Sequence, residues 1–231
     1  MRPLNEATFD SLSGAFSGQK CVLAGGAPSL KCAEGVIAGA TSSSIHVAVN
    51  YSQSLVPKIF PKVDINIVAD PGLVEIYGSK LLCGTLNLVR IDALNALIRQ
   101  GQQINSCLAY GYYKEPTMDK GYFSDNPRTG CYRGFTVILD ALQILKYFGF
   151  SKIGVIGVDL DYSGDFHYAD TDDRHKRLRN KIEEDFSMVS RCFSVARSAF
   201  EGTATKVFNC SPTGKLECFD RISLQQFTEL K

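Results

Sequence analysis

The sequence lacks the features that most quickly assign a chain. Its eight cysteines (21, 32, 83, 107, 131, 192, 210 and 218) include no C-x-x-C pair, and none stands at zinc-finger spacing from a histidine. A structural zinc site is therefore not indicated, and reduced thiols buried as small hydrophobes are expected. The net charge is only +1, so no global basic field points to nucleic acid. No window approaches the roughly 20 apolar residues of a membrane span. Met1 to Lys20 lacks the charged start and apolar run of a signal peptide. These absences predict a cytoplasmic protein with no nucleic-acid partner and no transmembrane segment. Peripheral contact with the inner face of the membrane stays open, as does a homo-oligomer.

What is present is a chain of 231 residues with 45% hydrophobic content, enough for one sizeable core. Residues 1–231 are expected to form a single domain. Short apolar runs that end at turns read as buried strands: Cys21–Ala24, Ile45–Val49, Val63–Ala69, a weaker Leu86–Ile91, Ile153–Val158 and Lys206–Asn209. Between them, Leu30–Ala38 has a helical pattern. Val137–Phe148 carries Leu139, Leu142, Leu145 and Phe148 at spacing three, and Glu183–Phe200 reads as a second long helix. Two polar stretches, Gly111–Arg133 and Asp161–Arg179, break the alternation and read as binding loops or lids.

Strands alternating with helices predict an α/β fold: a single doubly wound, mostly parallel, Rossmann-like sheet with helices on both faces. A polar lid loop is placed at about 161–182 on this reading. Ligands in such sheets bind beyond the carboxyl ends of the strands. The polar residues there are Gly25, Ser29, Asn50, Asp70, Asp159 and Ser211.

The first strand stops at Gly25-Gly26-Ala27-Pro28-Ser29. Two glycines allow close backbone approach to a phosphate, and a following helix offers free N–H groups. The run matches neither G-x-G-x-x-G nor G-x-x-x-x-G-K-[ST], so an ordinary strand-to-helix turn competes with nucleotide binding. Asp70 and Asp159 close their strands as candidate Mg²⁺ ligands, hydroxyl acceptors or helix caps. His167 and His175 lie in the second polar loop, where a histidine can take a proton from an alcohol. Tyr162 and Tyr168 flank them and can donate to a leaving phosphate. His46 falls inside a strand, where a structural role is expected. Arg128 and Arg133 could neutralise a phosphate, and the run from Arg174 to Lys181 could meet an anionic acceptor or lipid headgroups.

In order along residues 21 to 219, several motifs resemble the bacterial lipo-oligosaccharide sialyltransferases, glycosyltransferase family 42. They are Val22-Leu-Ala-Gly-Gly-Ala-Pro-Ser-Leu-Lys31, Asn50, Asp70-Pro71, Gly134 with the helix after it, Gly149-Phe150-Ser-Lys-Ile, Gly157-Val-Asp159, Tyr168-Ala169 and Asn209-Cys-Ser-Pro212. The resemblance implies inverting transfer of sialic acid, or a related acidic sugar, from a CMP-activated donor to a glycan hydroxyl. It implies no obligatory metal cofactor and a setting in lipopolysaccharide or capsule biosynthesis. Gly25, Gly26, Ser29, Asn50, Asp70, Gly134, Asp159 and Ser211 would border the nucleotide. Tyr162 and Tyr168 would assist phosphate departure, and His175 or else His167 would be the general base. Gly26 and Asp70 stand where the family has asparagines, which leaves a related nonulosonic or Kdo-type donor open.

The strand–loop motif and the G-x-D strand end also resemble 6-hydroxymethylpterin diphosphokinase-like proteins. That likeness implies ATP- and Mg²⁺-dependent transfer, with Asp70 and Asp159 as metal ligands. A catalytically silent nucleotide- or glycan-binding protein is a third reading. The scaffold alone does not choose among them.

Overall fold

The computed structural model describes residues 8–33, 44–52, 60–102, 104, 107–161 and 186–230. After a short helix, α1 (Phe9–Leu12), the first apolar run forms β1 (Lys20–Ala24). β2 (Ile45–Val49) and β3 (Ile65–Val68) follow, then α2 (Pro71–Tyr77), β4 (Leu86–Arg90), α3 (Ile91–Arg99) and β5 (Cys107–Tyr110). A two-stranded annexe pairs β6 (Tyr112–Tyr113) with β7 (Cys131–Tyr132) ahead of α4 (Val137–Tyr147). β8 (Lys152–Ile156), α5 (Phe186–Phe200), β9 (Lys206–Asn209), β10 (Asp220–Arg221) and α6 (Leu224–Glu229) complete the order.

The main sheet has eight strands in the order β10-β9-β8-β1-β2-β3-β4-β5, and every pairing is parallel. The chain starts in the middle, winds outward to β5, then returns to the other flank of β1. The strand order therefore reverses between β1 and β8, the switch point of a doubly wound α/β sheet.

Strand periodicity divides the core between two faces. Cys21, Leu23, Val47, Val49, Ile65 and Ile67 share one buried cluster with residues of α4 and α5. Val22, Ala24 and Ala48 turn the other way, toward Leu30 and Phe227, while Val68 and Val89 join α2 and α3. Each fully buried aliphatic side chain contributes about 1.5–3 kcal/mol. All eight cysteines are free.

Leu139, Leu142, Leu145 and Phe148 are all completely buried, as their spacing requires. Ile138, Ala141 and Ile144 are buried too, so α4 is enclosed on most sides. Its outer cover is the stretch Gly111–Arg133. Gln143 binds that cover: its oxygen accepts from Ser124 N at 2.9 Å and Tyr132 N at 2.8 Å, and its Nε2 donates to Tyr132 O at 3.0 Å. The loop expected at Gly111–Arg133 is mostly irregular, apart from β6, β7 and a 3₁₀ turn at Met118–Lys120, and buried Gln143 ties it to α4 at Ser124 and Tyr132. The helix expected over Leu30–Ala38 is a 3₁₀ turn, Pro28–Ala33, as far as it is described.

Candidate functional site at the carboxyl edge of the sheet

Because all pairings are parallel, the strand ends carrying Ser211, Asp159, Gly25, Asn50 and Asp70 lie along one edge, from β9 through β8, β1 and β2 to β3. Four interstrand steps of about 4.8 Å make that row roughly 20 Å long. It fits an elongated ligand; its two ends cannot both touch one phosphate.

At the centre, the β1 and β8 loops interlock. Asp159 accepts from Ser29 N at 3.0 Å and also from the Ser29 hydroxyl. Both residues are buried. Gly25 N donates to Ile156 O at 2.8 Å, and Ala27 N donates to Gly157 O at 2.9 Å. A methyl group at Gly25 would run into the Gly157 carbonyl and lie 2.8 Å from Val158 Cγ2, so glycine is required for this approach. The expected amide cradle is consequently narrower. Gly25, Ala27 and Ser29 spend their N–H groups inside the protein, and Pro28 has none. Gly26 N takes no acceptor among the described residues.

The neighbouring tips are also tied together. Asn50 Oδ1 accepts from Ala69 N at 2.9 Å, joining the ends of β2 and β3, and leaves its amide donors without an acceptor among the described residues. Asp70 caps α2, its Oδ1 accepting from Gly72 N at 2.8 Å and Leu73 N at 3.3 Å. Ser211 accepts from Val158 N at 3.3 Å. Its loop is clamped by Arg221, which donates to the carbonyls of Ser211, Thr213 and Gly214. Gly214 in turn lies against the Asp159 backbone. Gly134 packs on Leu139 and Met118, where a Cβ has no room, and so seats the start of α4. Thr136 caps that helix by accepting from Ile138 N at 3.4 Å. The N–H groups of Phe135, Thr136 and Val137 take no acceptor among the described residues.

Backbone strain marks the same edge. Asn50 (φ 48°), Phe135 (φ 65°) and Leu160 (φ 48°) are the described non-glycine residues with positive φ. Asparagine tolerates that region; Phe and Leu adopt it at a cost of about 1–3 kcal/mol, a cost that concentrates at functional sites.

One group at this edge escaped sequence reasoning. Arg90 and Tyr110, the last residues of β4 and β5, stand in register. Arg90 grips Asp92 through Nε (2.8 Å) and Nη2 (3.0 Å), and its Nη1 lies 3.5 Å from Asp140 Oδ2. The Tyr110 hydroxyl donates to the same Asp140 oxygen at 3.0 Å. Burial pushes the Asp140 carboxyl up to about 6, against the opposing pull of Arg90 and the Tyr110 hydroxyl. Burial works against the Arg90 charge, but Asp92 and Asp140 outweigh it and raise its pKa. The signal was present in the sequence: a charged residue ends the fourth strand, and a lone acid sits inside an apolar helix.

Elsewhere the arginine expectation divides. Arg128 is exposed and paired with Asp10 of α1. Arg133 is exposed, stacked 4.6 Å over the Phe135 ring, immediately before α4. His46 is buried against Phe60 and faces Lys62 O at 3.1 Å, a structural position. Tyr162, His167, Tyr168, His175 and the basic run from Arg174 to Lys181 lie outside the described residues, between Asp161 and Phe186. Among the described residues no three His, Cys, Asp or Glu side chains converge. No described helix is long and apolar enough to cross a membrane.

No protein-family model matches the chain, and no curated protein matches it. Among solved structures, the fold is similar to the Maf glycosyltransferase from Magnetospirillum magneticum AMB-1, with a TM-score of 0.58 and 14% identity over 98% of this chain. The chain spans 38% of that protein's length. It is also similar to the sialyltransferase CstII from Campylobacter jejuni in complex with cytidine-5'-monophosphate, with a TM-score of 0.55 and 13% identity over 90% of this chain and 86% of that one. The same sialyltransferase with CMP-3FNeuAc gives a TM-score of 0.55 and 14% identity over 92% and 89% of the two chains. At these identities the likeness is one of fold, a sialyltransferase-like α/β scaffold.

Proposed function

We propose that this chain is a glycosyltransferase that moves sialic acid or a related acidic sugar from a CMP-activated donor to a glycan hydroxyl, with inversion. The observation that carries the reading is the interlocked switch point, where Ser29 and Asp159 fix two loops. The Gly26 N–H and the Asn50 amide donors lie beside it without acceptors among the described residues. The likeness in fold to a sialyltransferase solved with CMP supports the same nucleotide. On this reading the nucleotide lies along the strand tips from Ser211 to Asp70, and its phosphate meets Gly26 and the open N–H groups at the start of α4. Arg133 supplies a positive charge nearby. On this reading the chain is a single catalytic domain, and its lid is the polar stretch at about 161–182, which lies almost wholly outside the described residues. There His175, or else His167, takes the proton of the acceptor hydroxyl as its oxygen attacks the anomeric carbon. The bond to the CMP phosphate breaks on the opposite face, and Tyr162 and Tyr168 donate to the departing phosphate.

The test is a thermal-shift screen of the full chain with CMP, CDP, UDP, GDP and ATP, each with Mg²⁺ or with EDTA. Stabilisation by CMP regardless of metal is expected. Stabilisation by ATP only with Mg²⁺ would overturn the reading in favour of diphosphate transfer.

A further inference from the structure

We propose that Arg90 is a positioning residue of this site, holding the starts of α3 and α4 and the β6–β7 annexe in one arrangement at the carboxyl edge. The inference rests on the functional reading only for what the arrangement serves. The anchoring stands on geometry.

Three separate segments meet at this guanidinium. Its Nε and Nη2 form a two-pronged pair with Asp92, which also accepts from Ala93 N at 2.9 Å and so belongs to the first turn of α3. Its Nη1 faces Asp140 in the first turns of α4. Its carbon lies 4.5 Å over the ring of Tyr112 in β6. The planar fork accounts for all three: two edges serve carboxylates and the flat face serves a ring, which the point charge of lysine cannot reproduce. β6 pairs with β7, and β7 leads through Arg133 to Gly134 and the open amides that precede α4. The Asp140 end is held a second time by Tyr110, the Arg90 neighbour across the sheet. Among the described residues the Arg90 nitrogens face Asp92 and Asp140 and its plane covers Tyr112, so the role argued for it is one of positioning. Its effect on the site runs through α4 and the annexe.

The groups facing Asp140 are Arg90 and Asp92 from the β4–α3 turn, Tyr110 from β5 and Cys131 from β7. One cation is shared between two carboxylates, so Arg90→Gln leaves both acids unpaired, whereas Arg90→Lys keeps the charge and loses the fork and the stacking.

Amide hydrogen exchange on the full-length protein without nucleotide reads the anchoring directly, and calorimetric titration with CMP reads the site. Arg90→Gln is expected to speed exchange in residues 92–94, 112–113, 131–132 and 138–141 together, with β1 and β8 unchanged, and to weaken CMP binding about tenfold or more. Arg90→Lys should return exchange in these segments only part of the way to the wild-type rate and recover only part of the CMP affinity. If Arg90→Gln leaves exchange at α4 at the wild-type rate, the anchoring role is wrong. If it loosens all these segments while CMP affinity stays at the wild-type value, the positioning role is wrong. Should Arg90→Gln not fold, Arg90→Lys carries the same two readouts. Wild-type protein that takes no CMP would defeat the functional reading alone, and the exchange pattern would still decide whether Arg90 couples the segments.

Discussion

Ser29 and Asp159 stand 130 residues apart in the chain, yet the Asp159 carboxylate receives both the N–H and the O–H of Ser29. Hydrogen bonds to a charged acceptor contribute about 1.5–3 kcal/mol each. Ser29→Ala removes one of the two and should lower unfolding free energy by about 2 kcal/mol in urea titration. Asp159→Ala removes both acceptors and should cost more. Because the pair is in contact, the double variant should fall short of the summed single effects by about 1–2 kcal/mol. Additive losses would mean that the two groups do not act as a unit.

Gly25→Ala places a methyl group against the Gly157 carbonyl, in backbone that cannot step aside cheaply. Overpacking of this kind costs about 1–3 kcal/mol. The same shift pries apart the β1 and β8 loops, so nucleotide affinity should fall along with the melting temperature. A variant with wild-type melting temperature and wild-type CMP affinity would refute the close approach.

Asp140 sets a pH dependence of definite sign. Its folded pKa, about 6, lies above the ordinary value of 3.8, so the folded chain holds this proton more tightly than the unfolded chain. Its contribution to stability is full in acid, falls as pH rises between those two values, and stays low above about 6. Asp140→Asn is permanently neutral and keeps an acceptor for Tyr110, while Arg90 keeps Asp92. At pH 7.5 this variant should be more stable than wild type by up to about 3 kcal/mol, and the advantage should vanish near pH 4. Denaturant titrations from pH 4 to 8 check it; a variant that is less stable at pH 7.5 would show that Arg90 needs both acids.

On the proposed reading, either His175 or His167 is the base. Replacing it by alanine should reduce transfer by 10²–10⁴-fold, in order of magnitude, while leaving CMP affinity intact. The other replacement should leave turnover within a small factor. Transfer assays beside CMP titrations separate the pair, and full activity in both variants would remove histidine from the mechanism.

Much of the scaffold was legible because buried parallel strands announce themselves. β1, β2, β3, β4, β8 and β9 are apolar runs bounded by turns, and α4 carries its threefold spacing. β5 was not, because Cys107, Leu108 and Ala109 are at least partly exposed at the sheet's edge and their four-residue run has no distinct pattern. α2 and α3 are short and follow their strands at once, which blurs both periods. The row of polar strand tips was found for five strands and overlooked for β4 and β5, which hid Arg90 and Tyr110. The hydrogen-bond closure of the Gly25–Ser29 loop could not be read locally, since its partners lie in the turn after β8.

The central place of β1 has a consequence for the order of assembly. One flank of β1 is covered early in synthesis, by β2. The other stays bare until β8 emerges, after the whole β2–β5 half and α4 have been made. A nascent chain halted after β5 would present an uncovered strand edge, open to pairing with another molecule. The switch point between β1 and β8 forms late, when the second half of the protein closes against the first strand it made.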